Sequence, residues 1–190
     1  MSKTDTSVQP AMAASGAQIS PARILPAQIL IVRHAEKPGL AEVDQESDGP
    51  DLSTRGFGRA AAMAYLLTER TGPIDFVIAA ADSKHSSRPR ETVTPLADRL
   101  NLQINLNHPQ DDFQGLADAV FSHDKYAGKT PLVCWHHGKI PDLAAALGVV
   151  NPPRPWPPQE FDRIWVITFA SPTATLSIVP QCILFGDSET

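Results

Sequence analysis

The four residues Ile29-Leu30-Ile31-Val32 form an aliphatic run that stops without a taper at Arg33-His34-Ala35-Glu36-Lys37. A run this short, apolar at every position, reads as a strand buried on both faces, and such strands belong to parallel sheets covered by helices. Open sheets of that kind carry their chemistry at the carboxyl ends of the strands, which is where the Arg-His pair falls. Taken alone, the pair is equally consistent with two solvated side chains, so its meaning depends on the rest of the chain.

The pattern that follows is an alternation of helices and strands. Pro38 to Pro50 is a polar, acidic loop with Gly39 and Gly49, long enough to fold over whatever Arg33 and His34 face. Ser53 offers a helix N-cap, Ala60, Met63, Ala64 and Leu67 share one stripe, and Thr71-Gly72-Pro73 stops the helix. Phe76 to Ala80 is a second buried strand, which completes a β-α-β unit. After the loop Asp82 to Ser87, Pro89 marks the first turn of a helix with the stripe Val93, Leu96, Ala97 and Leu100, in which Pro95 predicts a kink or a late start.

Leu102 to Leu106 alternates as a short strand, and Phe113, Leu116, Ala117 and Val120 repeat the helical spacing. Leu132-Val133-Cys134-Trp135 is a further strand, ending in His136-His137-Gly138. Pro141 then opens a helix that Gly148 closes. Asn151 to Pro158 holds most of a proline cluster, read as a rigid surface connector rather than a polyproline ligand. Arg163 to Ala170 and Thr175 to Phe185 are β-rich runs that predict a closing antiparallel pair.

The 190 residues, 42% of them hydrophobic, suffice for one domain over 27–190, and 1–26, rich in Ala, Ser, Gln and Pro, reads as a disordered extension. A formal charge of -5 without a Lys/Arg block argues against general nucleic-acid or anionic-membrane binding. No run approaches a transmembrane length and no secretory signal is evident, so a soluble, cytoplasmic protein is expected. Cys134 and Cys182 both lie in apolar strand-like runs and read as buried thiols of a reducing compartment.

Three strand ends carry polar clusters: Arg33-His34, Lys84 to Arg90, and His136-His137. In a parallel sheet these ends share one edge, so Arg33, Arg88 and the histidines are expected to converge. Arginine forks match phosphate oxygens, and the first turn of the Pro89 helix adds N–H groups and positive dipole. A neutral imidazole in such a pocket is able to attack phosphorus while the guanidiniums stabilise the equatorial oxygens, and a carboxylic acid at the pocket mouth would complete the set.

At these residues the chain resembles the histidine phosphatase superfamily, with its phosphoglycerate mutase-like fold. Arg33-His34-Ala35-Glu36-Lys37 is similar to the family's Arg-His motif, Leu52-Ser53-Thr54-Arg55-Gly56 to its Leu-Thr-x-x-Gly helix start, and Arg88-Pro89-Arg90-Glu91-Thr92 to its Arg-x-x-x-Thr segment. The resemblance covers Ile29 to Leu147 and implies an α/β three-layer sandwich, a mostly parallel central sheet with helices on both faces. It implies His34 as nucleophile, Arg33 and Arg88 as phosphate ligands, and a second histidine on the phosphoryl group. His136 fits the family's His-Ser-Asn-Thr-Ile pattern without a gap, whereas His137-Gly138 fits its His-Gly pair with one. His137 is the reading adopted, with His136 as an accessory ligand. The acid is expected in the loop well after the second arginine, at Asp112 or its neighbour Asp111, although both suit helix capping. Glu36 is a further candidate.

The implied activity is a phosphatase that needs no metal or other cofactor and acts on a small phosphorylated molecule or a phosphoprotein. A mutase is disfavoured because the Glu-Arg-x-Tyr-Gly segment of that branch is not evident after Arg88. Two other classes are weighed. One is a catalytically weak relative that only binds a phosphorylated ligand. The other is a metal site built on His34, His136, His137 and an aspartate, which two convergent arginines disfavour.

Overall fold

A computed structural model describes residues 24–39, 49–170 and 173–188. The chain order is β1 (Gln28–Arg33), α1 (Thr54–Thr71), β2 (Phe76–Ala79), α2 (Arg88–Leu100), β3 (Ile104–Asn105), α3 (Phe113–Ser122), β4 (Pro131–Trp135), α4 (Ile140–Ala146), β5 (Arg163–Ala170) and β6 (Thr173–Pro180). The six strands form one sheet in the order β3-β2-β4-β1-β5-β6. β1, β2, β3 and β4 are mutually parallel, β5 runs antiparallel to β1, and β6 antiparallel to β5.

The apolar run that opens the sequence accounts for the layering. Side chains alternate across a strand, so β1 sends Leu30 and Val32 to one face and Ile29 and Ile31 to the other. Leu30 and Val32 pack with Met63, Leu67, Val93 and Leu96 of α1 and α2. Ile29 and Ile31 pack with Leu116, Val120, Ile140 and Leu143 of α3 and α4. The result is the expected three-layer sandwich, with helices on both faces of a mostly parallel sheet.

Local signals set the helix ends. The Ser53 side chain accepts the Gly56 N–H and caps α1, an interaction of the kind that contributes about 1 kcal/mol. Ser53 N–H also donates to the Glu36 carbonyl, 3.0 Å, and a Cβ at position 56 would collide with that same oxygen. Glycine at 56 is thus what lets α1 lie directly against the backbone behind β1. Pro89 sits in the first turn of α2, and the helix runs unbroken through Pro95 from Arg88 to Leu100 rather than starting late.

Several boundaries differ from expectation. The short strand shrinks to Ile104–Asn105, and β6 ends at Pro180, so Cys182 lies beyond the strand at a positive φ of 49°, part-buried; Cys134 is the fully buried thiol. The chain turns there because Gln181 is buried and its amide donates to the Phe161 carbonyl, 3.1 Å. The expected extension over 1–26 lies, for 1–23, outside the described residues, as does the loop for 40–48. Ile24–Pro26 are attached: Ile24 N–H donates to Phe121 O and Leu25 O accepts from Gly128 N–H, both 3.0 Å.

Candidate active site

Parallel pairing puts the ends of β1 and β4 side by side, in a register where Arg33 is opposite Trp135. One residue on, the His34 N–H donates to the Trp135 carbonyl, 3.1 Å, and the Ala80 N–H beyond β2 donates to the Cys134 carbonyl, 3.1 Å. Position 34 therefore lies beside position 136. The two imidazoles meet edge to face with ring centroids 5.3 Å apart.

His34 is 3% exposed, and its Nδ1 lies 2.8 Å from the Ala35 carbonyl. A carbonyl only accepts, so Nδ1 carries the proton and Nε2 the lone pair in the neutral ring. Burial holds the ring's pKa well below the ordinary histidine value, the Ala35 carbonyl opposes that shift, and His136, Arg33 and Arg88 add to it. The backbone behind the ring is held by α2: the Ala35 N–H donates to Thr92 Oγ1, 2.8 Å, and that hydroxyl donates to the Arg88 carbonyl, 2.8 Å. The Arg-x-x-x-Thr spacing thus places Arg88 one helical turn from the hydroxyl that holds the backbone behind His34.

Arg33 is 2% exposed and held by the proline-rich segment. Its Nη1 donates to the carbonyls of Pro158 at 2.8 Å and Glu160 at 3.0 Å, and its guanidinium lies 3.7 Å from the Phe161 ring centroid. Its Nε has no hydrogen-bond partner, and no carboxylate bonds the group among the described residues. Burial lowers its pKa to about 10; Glu36 opposes this and Arg88 reinforces it. Arg88 donates to the carbonyls of Gly49, 3.0 Å, and His85, 3.3 Å.

Both following histidines feel this charge. His136 is lowered to about 4, first by burial and then by Arg88 and His137, with Asp111 pulling the other way. His137 is half-buried and lowered by burial, Arg33 and Lys37. The structure thus gathers Arg33, His34, Arg88, His136 and His137, with His136 as the histidine whose ring meets His34. Asp112 is the N-cap residue of α3. Its Oδ1 caps the Gly115 N–H at 3.2 Å and its Oδ2 lies 2.8 Å from His108 Nδ1. Asp111, close enough to influence His136, is paired with Lys139 Nζ at 2.8 Å.

The remaining expectations sort by burial. Glu36, the further candidate for the acid, is engaged within the fold: its carboxylate is 2.8 Å from Arg59 Nη2 and 3.1 Å from Arg55 Nε. Arg90 pairs with Asp82 at 2.7 Å, and Lys84 and His85 are exposed at the tip of the Ser83–Ser86 turn. Arg59, Gln181 and Asp187, which support Glu36, were not singled out in the sequence. The one signal was a charged residue, Arg59, on the otherwise apolar stripe of α1. Among the described residues, no group of three or more His, Cys, Asp or Glu side chains is arranged to hold a metal ion, and no helix is long and apolar enough to cross a membrane.

No family model and no curated protein matches the chain. Solved structures do. The chain is similar to the protein histidine phosphatase SixA complexed with tungstate, at 20% identity and a TM-score of 0.53 over 82% of this chain and 97% of that one. It is also similar to a mycobacterial glucosyl-3-phosphoglycerate phosphatase complexed with VO3, at 16% identity and 0.58 over 81% and 98%. A phosphoglycerate mutase from Plasmodium falciparum aligns at 16% identity and 0.53 over 86% and 96%. The chain shares the phosphoglycerate mutase-like fold of these structures.

Proposed function

We propose that this chain is a metal-independent phosphatase that cleaves phosphomonoesters through a phosphohistidine on His34. The observation that carries the reading is the state of that ring: neutral, with Nδ1–H held by the Ala35 carbonyl and the Nε2 lone pair left to react. In the first step Nε2 forms a bond to phosphorus as the ester P–O bond breaks. The leaving oxygen takes its proton from solvent, and the imidazole becomes cationic. The Ala35 carbonyl, which favours the charged ring, stabilises that intermediate. Water then attacks phosphorus, the P–N bond returns its electron pair to Nε2, and phosphate leaves.

Arg33 and Arg88 serve as the phosphate ligands, and His136 as a neutral donor to an equatorial oxygen. His137 borders the site beside Arg33. Arg33 supports this role by its condition: a dianion would neutralise a buried charge that meets only carbonyls and an aromatic face, and would give its Nε a partner. Asp112 enters this mechanism only as the α3 cap, because both of its oxygens are engaged. The likeness in fold to two phosphatases supports the reading in general terms.

The test is hydrolysis of p-nitrophenyl phosphate in EDTA. Wild type is expected to turn over and His34→Ala to fall to background, with acid-labile phosphate trapped on the wild-type chain alone. Equal activity in the two proteins overturns the reading. Binding of phosphate without any turnover would leave a phospho-ligand-binding protein.

A further inference from the structure

We propose that the apolar cavity between the start of α4 and residues 154–158 is the subsite for the leaving group. Its substrates would be phosphomonoesters whose leaving group carries a flat, uncharged ring. This rests on the phosphatase reading of His34. The cavity measures about 650 Å³, and its walls include His137, Gly138, Pro141, Pro155, Trp156 and Pro158.

Its position ties it to the phosphoryl site from two sides. His137 follows His136, whose ring meets His34, and the carbonyl of Pro158 is the 2.8 Å acceptor of Arg33. The cavity is thus lined by the residue next to His136 and by the residue whose carbonyl holds Arg33.

The lining selects against polar leaving groups. Three of the six named walls are pyrrolidine rings, and the Trp156 N–H is already donated to the Glu160 carbonyl, 2.9 Å. The one charged pair on the wall, Arg154 and Asp142, is closed on itself at 3.2 Å. A sugar or carboxylate placed here would lose water and meet few partners, whereas a flat ring packs on proline faces and the imidazole of His137.

The chemistry of departure points the same way. Among the described residues, Asp111 and Asp112 are engaged with Lys139, His108 and the Gly115 N–H, so neither of these two is free to protonate an alkoxide. A phenol-type oxygen, with a pKa of about 10, leaves with far less help.

Position 138 allows a direct test. No atom lies within 4 Å of where a Cβ at Gly138 would sit, so a side chain enters open space on the cavity wall. Calorimetry compares 1-naphthylmethylphosphonate with methylphosphonate. Wild type is expected to bind the ring compound about tenfold tighter, with the margin reduced in Gly138→Ala and erased in Gly138→Leu. Equal affinities in wild type, or a margin that both variants keep, overturns the proposal. The phosphatase reading fails separately, if His34→Ala matches wild type on p-nitrophenyl phosphate, because phosphonate binding needs no turnover.

Discussion

Arg33 and Arg59 are each 2% exposed, yet their surroundings are opposite. Arg59 is enclosed by acids: Nη2 is 2.8 Å from both Glu36 and Asp187, and Nη1 donates to Gln181. Burial works against its charge, but the hydrogen bonds to Asp187 and Glu36 outweigh it and hold its pKa above the ordinary arginine value. Arg33 receives carbonyls and an aromatic face instead, and burial prevails. The difference separates two uses of a buried cation. Around Arg59 the charge is spent within the fold, tying the C-terminal residues to the backbone behind β1. Around Arg33 no carboxylate among the described residues bonds the charge, the condition that the proposed phosphate-binding role requires.

Breaking the first arrangement should have the largest effect on stability. Arg59→Met leaves Glu36 and Asp187 buried without their main partner, which costs about 3–5 kcal/mol in such pairs. Urea unfolding measures it, and a loss below about 1 kcal/mol would mean the network is no more than a surface-type ion pair. Arg33→Met is expected to reverse the balance. Activity falls about 10²–10³-fold, as for loss of a transition-state donor, with a smaller stability loss than Arg59→Met. Inorganic phosphate at a hundred times its Kd should stabilise wild type by about 2.7 kcal/mol, and Arg33→Met by clearly less.

The smallest effect sharpens the contrast through pH. His34, His136 and His137 all have folded-state pKa values below 6.5. Between those values and 6.5 the unfolded chain binds more protons, so stability is full above pH 6.5 and falls with acidification, at about 1.4 kcal/mol per pH unit for each histidine still neutral. The acid limb of activity should accordingly lie below 6.5. In Arg33→Met the limb should move upward, because one of the charges lowering these rings is gone. A wild-type limb at 6.5 would break the link between burial and reactivity.

How far the sequence carried these conclusions depended on range. Ser53 as a cap, Pro89 in a first turn and the stripe Ala60-Met63-Ala64-Leu67 are decided within four residues, and each was legible. The convergence of Arg33, Arg88 and the histidines followed from strand ends sharing an edge of a parallel sheet. The choice between His136 and His137 did not, because it turns on strand register, and the β1–β4 register pairs residues about a hundred positions apart that no local pattern relates. The pairing of Glu36 with Arg59 was not legible for the same reason: one of Arg59's other acids, Asp187, is 128 residues beyond it.

The sequence by itself determined the alternation of strands and helices, their caps, and the placing of arginine and histidine where buried strands stop. Hydrophobic period and capping chemistry act over a few residues, so they are written in order along the chain. Only the tertiary structure decided which imidazole meets His34, which carboxylates are already engaged, and which of two buried arginines is paired with them. Those outcomes depend on desolvation and on partners brought in from distant segments, and burial has no value until the chain has packed.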